Sequence, residues 1–334
     1  MLRFNVKKHY IVWMCLFSLV YVHASFAQQL QSGAIYLNDT PQASLQDALS
    51  NARDGDRIKL GNGIFRDGGI LNANFVTITG GSNTHIRNFS AKGKGALVIK
   101  GNDTTIENIE CSGVTVPDKN GACIRLAGRN LKLNNVYFHD SEQGLLTGSK
   151  PGSIYIENSR FERLGKAGRA HGVYVGGGEL YINNSHFLSG KDEGHEIKSR
   201  ARKTMIYNST IASLTGKDSR LLDISNGGIL EVNKCVLEQG DNTSNWNLIG
   251  FGMEGLKYKE NSIKLSNNLI LLDRERGNKL IATKGKAPKI MVNNNVIIGK
   301  LADDNYNESN IRYQSRDEAG VQAFPSLLTD NKNN

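Results

Sequence analysis

Helical periodicity is missing from almost all of this 334-residue sequence. That absence excludes the tetratricopeptide, ankyrin and leucine-rich repeat arrays, whose apolar residues recur at helical spacing or in a leucine-rich consensus. Tight hairpin signals are few, which counts against a β-sandwich or a propeller. Aromatic residues are sparse at 7%. No ribonucleoprotein, zinc-finger or basic-helix pattern occurs either, so no nucleic-acid partner is expected. There are four cysteines, Cys15, Cys111, Cys123 and Cys235, and their spacings match no zinc motif. Neither a metal nor a cofactor is expected. Past Val22 no segment is long and apolar enough to cross a bilayer. Acidic residues are outnumbered, 32 against 41 Lys and Arg, for a net charge of +9. A basic surface favours a polyanionic partner.

The first residues read as an export signal. Arg3, Lys7 and Lys8 form a basic start, Ile11 to Val22 an apolar stretch, and Ser25 and Ala27 the small residues before a cut at Gln28. The expected division is a signal over 1–27, an N-terminal cap over 28–65, a repeat region over 66–300 and a tail or cover over 301–334. The mature chain is then periplasmic or secreted, free of membrane spans and expected to be a monomer. In an oxidising compartment Cys111 and Cys123 are able to pair, leaving Cys235 as a small buried hydrophobe.

The repeat region carries a short alternating phrase followed by Asn and a turn. Leu131-Lys-Leu-Asn-Asn-Val-Tyr-Phe138, Ile154-Tyr-Ile-Glu-Asn-Ser-Arg-Phe161 and Leu180-Tyr-Ile-Asn-Asn-Ser-His-Phe187 are successive copies. Later copies begin at Met205, Leu230, Ile263 and Ile290. Period-two alternation makes each phrase a strand with one buried face. No unit can bury that face alone, so the units stack about 4.8 Å apart around one core. The predicted fold is all-β, a right-handed parallel β-helix. Asn at the bend tolerates left-handed backbone and can form a ladder from rung to rung. Before the repeats, Ser44-Leu-Gln-Asp-Ala-Leu-Ser-Asn-Ala52 has the apolar spacing of a short amphipathic helix with a capping pair, Ser44 and Asp47.

The strand preceding each Asn phrase aligns as Cys123-Ile-Arg-Leu126, Gly144-Leu-Leu-Thr147, Gly172-Val-Tyr-Val175, Glu196-Ile-Lys-Ser199 and Leu221-Leu-Asp-Ile224. This register turns Val173, Ile197 and Leu222 inward. It stacks two outward columns, Gln143–His171–His195–Arg220 and Arg125–Leu146–Tyr174–Lys198–Asp223. A one-residue slip in the last rung would reverse its faces. Adding Arg200 and Arg202 from the next turn gives a strongly cationic cluster. It is either a solvated basic face or the seat of an anion, since like charges on adjacent rungs repel. Hydrolysis of a glycoside needs two flanking carboxyl groups, and Asp192, Glu193, Glu196 and Asp223 form no convincing outward pair. β-Elimination from a uronate needs a cation for the carboxylate, a base, and an acid for the leaving oxygen. His195 or Lys198 suits the base, Arg200, Arg202 or Arg220 the cation, and Tyr174 or His171 the acid. Crowded cations would lower the pKa of Lys198 and His195 and so favour a neutral base. Arg125 and Trp246 extend the candidate binding face. Trp246, Phe251 and Tyr258 are either sugar-stacking platforms or packing anchors, and His139 and His186 read as turn or surface groups.

The capping helix with Asp54-Gly-Asp56, Ile58-Lys-Leu60 and Gly63-Ile-Phe65 resembles the entry of pectate-lyase-like β-helix proteins, where a helix closes the open end of the coil. His171-Gly-Val-Tyr-Val175 is similar to a rung of periplasmic β-helix proteins of the alginate epimerase and alginate lyase types. Gly194-His-Glu-Ile-Lys-Ser-Arg-Ala201, Asp223-Ile-Ser-Asn-Gly-Gly228 and Gly252-Met-Glu-Gly255 resemble a family of exported bacterial right-handed β-helix proteins. The Asp-Pro-His-Asp signature of alginate C5-epimerases is absent from the sequence, and the acidic calcium cluster typical of pectate lyases is not evident. What the residues and the resemblance imply together is a protein of acidic polysaccharides, a lyase by first expectation. A non-catalytic glycan-binding protein and a uronate C5-epimerase are the alternatives.

Overall fold

The computed structural model describes residues 32–275, 277–302, 306 and 308–321. The expected signal, residues 1–27, and much of the expected tail lie outside the described residues. Strands recur in threes. Leu131–Asn134, Tyr137–His139 and Gln143–Thr147 make one coil, and Ser153–Glu157 then lies one rung further on, pairing Leu131 with Ile154 and Leu133 with Ile156. Repetition of this path builds three sheets, here called first, second and third in the order the chain visits them. Among the described residues they hold twelve, eleven and nine strands, parallel from rung to rung apart from an antiparallel entry.

Alternation sets what lies inside. Leu131, Leu133, Ile154, Ile156, Leu180 and Ile182 are buried from the first sheet and Val173, Ile197 and Leu222 from the third. Phe138, Phe161 and Phe187 stack along the second, with ring centroids 5.4 and 4.9 Å apart. The bend between first and second sheets falls on Asn108, Asn135, Asn158, Asn184, Asn208, Asn267 and Asn294, all left-handed with φ between 47° and 57°. Their amides link the rungs: Asn135 donates to Asn108 and Asn184 to Asn158, each at 2.8 Å. A second ladder runs inside the first. The hydroxyls of Ser159, Ser185 and Ser209 accept from the backbone N–H one rung below, and the side-chain carbonyls of Asn268 and Asn295 continue the series. The buried corner therefore leaves few backbone donors without a partner.

The ends are closed differently. Helix Leu45–Asn51 is capped by Ser44, and Leu45, Ala48 and Leu49 are buried. It packs on Gly69–Leu71, the terminal strand of the third sheet. Arg57–Leu60 and Gly63–Phe65, grouped with the cap by sequence, are members of the first and second sheets. At the other end Ile311–Tyr313, within the expected tail, adds a strand to the second sheet. Cys111 and Cys123 form a disulfide across the Gly/Pro-containing turn between the second and third sheets. Closing such a loop is worth about 3 kcal/mol in the chain-entropy account. Cys235 is free and buried. No helix among the described residues is long and apolar enough to cross a membrane.

Candidate active site on the third sheet

The third sheet brings the two predicted columns together. Arg125 pairs with Leu146, Leu146 with Tyr174, Tyr174 with Lys198, and Lys198 with Asp223. The rung of Asp223 is in the predicted register, and Gly250 follows it. Three residues earlier along the chain on successive rungs come His171, His195 and Arg220, with Asn247 beyond them.

His171 and His195 lie parallel, with ring centroids 4.9 Å apart. The backbone fixes their tautomers. The N–H of His195 donates to Nδ1 of His171 at 3.1 Å, and that of Arg220 to Nδ1 of His195 at 3.2 Å. Each ring therefore carries its proton on Nε2, and that of His195 faces Oδ2 of Asp223 at 3.1 Å. Burial holds both imidazoles below their ordinary range, and Asp223 only partly opposes this at His195. The two rings are neutral, enclosed and without a free acceptor nitrogen. Sequence offered them as the base or the acid; in the structure each accepts a backbone N–H, and His195 contacts Asp223.

Lys198 also departs from expectation. Its ammonium lies 3.1 Å from Oδ2 of Asp223 and 2.9 Å from Oε1 of Glu254. Burial pulls its pKa down, but the two carboxylates outweigh burial and raise it, so Lys198 is held charged. Burial in turn raises Asp223, and the pairing with His195 and Lys198 overrides it, keeping this carboxylate far below its usual range. Oδ1 of Asp223 is buried, with no hydrogen-bond partner among the described residues. The lowered pKa expected from crowded cations is not found, because the sequence spacing hides Glu254.

Glu254 sits in the turn Gly252–Gly255, whose terminal glycines have φ of 71° and 98°. It also binds Arg200, 2.7 Å from Nε and 2.5 Å from Nη2. The hydroxyl of Tyr258 donates to the carbonyl of Arg200 at 2.7 Å, fixing the arginine from behind. Arg200 and Lys198 approach the ring of Tyr174 to 5.1 and 5.7 Å. Burial raises the Tyr174 phenol, and the two cations oppose it in part.

The remaining candidates spread outward. Arg220 folds over Gly250, where an added Cβ would meet its Nε at 2.9 Å, and its guanidinium bonds the side chains of Asn247 and Asn245. Arg202 turns away to pair with Glu179, the first residue of an interior strand of the first sheet. Arg125 lies two rungs before Tyr174, and burial lowers its pKa. Trp246 is exposed, with Lys279 5.9 Å from its ring centroid. Phe251 is a core residue, and Tyr258 an anchor. Glu196, counted among the nearby carboxylates, is buried just before the strand Ile197–Ser199, where it accepts from the N–H of Gly190.

Residues 51–211 match the family model described as a right-handed β-helix region, so the fold is a right-handed parallel β-helix. No curated protein sequence matches the chain. Among solved structures, an alginate lyase from Paenibacillus sp. str. FPU-7 superposes with a TM-score of 0.52 at 15% identity, covering 84% of this chain and 96% of that one. A PL6 family alginate lyase gives 0.29 at 12% identity, over 80% of this chain and 51% of the other. A second PL6 alginate lyase, in complex with a trisaccharide, gives 0.26 at 11% identity, over 80% and 84%. At such identities the first likeness is one of fold.

Proposed function

We propose that this protein is an exported lyase that cleaves an acidic polysaccharide by β-elimination on the outer face of its third sheet. One observation carries the reading: Glu254 holds its carboxylate on Lys198 and Arg200 beside Tyr174, as a uronate carboxylate would sit. In the proposed reaction the uronate displaces Glu254. Lys198 and Arg200 then neutralise its carboxylate and acidify the adjacent C–H. The released Glu254 takes that proton, the electron pair forms the new C=C bond, and the C–O bond breaks. The Tyr174 phenol protonates the departing oxygen. Asp223 and His195 hold Lys198 in place, Arg220 binds a neighbouring acidic sugar, and Arg125 and Trp246 extend the face. The Cys111–Cys123 disulfide supports a life outside the cytoplasm.

Ultraviolet absorbance of the unsaturated uronate, followed over a panel of acidic polysaccharides, tests this. Turnover by the wild type that Tyr174→Phe and Glu254→Gln lose, with polymer binding kept, is the expected result. The occupied acceptor nitrogens of His171 and His195 and the charged Lys198 favour one other reading, a glycan-binding protein without turnover. Salt-sensitive binding with no product from any polymer would establish that instead.

A further inference from the structure

We propose that a borderline divalent transition ion such as Zn²⁺ binds on the outer face of the second sheet, held by His85, Glu110 and His139. These residues come from three successive rungs, on strands Thr84–Arg87, Glu110–Ser112 and Tyr137–His139. Glu110 pairs with His85 across the sheet, and His139 pairs with Ser112. Parallel register thus gathers residues 25 and 29 positions apart. One potential ligand atom from each lies within 4.8 Å of the other two.

Both imidazoles address the same carboxylate oxygen. Nε2 of His139 lies 2.8 Å and Nδ1 of His85 3.5 Å from Oε1 of Glu110. The far nitrogen of each ring is held from behind. Nδ1 of His139 contacts Oδ2 of Asp140 at 2.6 Å, and Nε2 of His85 contacts Oγ of Ser112 at 2.8 Å. Arg163 in turn grips Asp140, 2.8 Å from Nε and 2.7 Å from Nη2. The ring of Tyr137 stacks on that of His139 at 4.2 Å. A metal-binding histidine typically has this support, a carboxylate or hydroxyl on the nitrogen away from the ion, which sets ring orientation and basicity. The three side chains are 15, 22 and 13% exposed, enough for an ion and its water to reach them.

The donor set chooses the ion. Two imidazoles with one carboxylate suit zinc or copper, whereas calcium and magnesium take oxygen ligands. Three protein ligands leave a position for water. The ion would staple three rungs of the second sheet, on a different face from Lys198 and Tyr174, so the inference is independent of the proposed lyase reaction.

Tag-free protein titrated with Zn²⁺ by calorimetry, and with Cu²⁺ under electron paramagnetic resonance, provides the test. One equivalent of Zn²⁺ is expected, with a raised melting temperature, and hyperfine splitting from two nitrogens on copper. His85→Ala or His139→Ala should weaken zinc at least about 100-fold and leave one nitrogen, while Asp140→Asn should weaken it about 10–100-fold with all ligands present. Glu110→Gln keeps the size of the side chain and decides the matter should a histidine variant fail to fold. Absence of zinc binding in the wild type, or the same stoichiometry and affinity in Glu110→Gln, would overturn the proposal.

Discussion

Lys198 and Glu196 stand on one short stretch of chain, yet they belong to two opposite electrostatic regions. On the outer face, Asp223 and Glu254 are kept ionised by Lys198, His195 and Arg200. On the other side, at the corner between the second and third sheets, Glu196, Asp218 and Glu238 are buried with one another. Burial raises Glu196 well above the usual range, Asp218 to about 6 and Glu238 to about 8. Their hydrogen-bond donors are uncharged: Glu196 accepts from the N–H of Gly190, Asp218 from the hydroxyl of Ser213, and Glu238 from the N–H of Leu214. Glu238 also faces the carboxyl of Asp273, which Arg316 binds. The lesson is that the cation nearby, and not the carboxyl itself, decides which acids stay charged. One region holds its carboxylates ionised against cations. The other holds protons inside a wall of the coil.

Removing the cation on which the outer region depends should have the largest effect. Lys198→Met leaves Asp223 buried with His195 alone, and breaking such a pair costs about 3 kcal/mol. If Lys198 also neutralises substrate, turnover falls about 10²–10³-fold. Chemical denaturation and steady-state kinetics on the same preparation separate the two losses. A variant that unfolds at the wild-type denaturant concentration would show that the pair is no more than a surface contact.

The buried corner is probed by pH. Glu238 has a folded-state pKa of about 8 against an ordinary 4.5, so its contribution to stability is complete below the ordinary value and is lost as pH rises through about 8. Glu238→Gln retains the acceptor for Leu214 and cannot ionise. The melting temperatures of the two proteins should therefore agree near about pH 5 and diverge by a few degrees near about pH 9, with the variant higher. Parallel curves would mean that the corner acids are already ionised.

Glu254→Gln sharpens the outer region further. Freed of their internal carboxylate, Lys198 and Arg200 should hold an acidic polymer a few-fold more tightly at low salt, while turnover is lost. Retained turnover would remove Glu254 from the reaction. Gly250→Ala is the mildest change. Its methyl group displaces the Arg220 guanidinium, and binding should weaken a few-fold with the melting temperature nearly unchanged, as affinity electrophoresis can measure. Unaltered mobility would place Arg220 outside the binding face.

The fold was legible in the sequence because the coil repeats its physics. Alternation in Leu131-Lys-Leu, Asn at each bend and Phe138, Phe161 and Phe187 at one position declare buried strands, left-handed corners and a stacked core. The columns through Tyr174, Lys198 and Asp223 followed once the register was known. What remained hidden depends on turns and on contacts between rungs. Glu254 lies 56 residues after Lys198 and reaches it through a glycine-bounded turn with no period. The tautomers of His171 and His195 are set by backbone N–H groups, which carry no sequence signal. His139 read as a surface group because its partners, His85 and Glu110, sit in other rungs. Glu196 and Asp223 are both acids beside apolar strand residues, and only the folded register shows which one meets a cation.

The most direct test of the central claim is to digest an acidic polysaccharide in heavy-oxygen water and weigh the fragments by mass spectrometry. Elimination breaks the C–O bond without water, so the account predicts an unsaturated sugar at each new non-reducing end and a pair of fragments whose masses sum to that of the parent chain, apart from exchange of the reducing-end hydroxyl. Fragments saturated at both ends, together heavier than the parent chain by one heavy water, would reveal hydrolysis and contradict it.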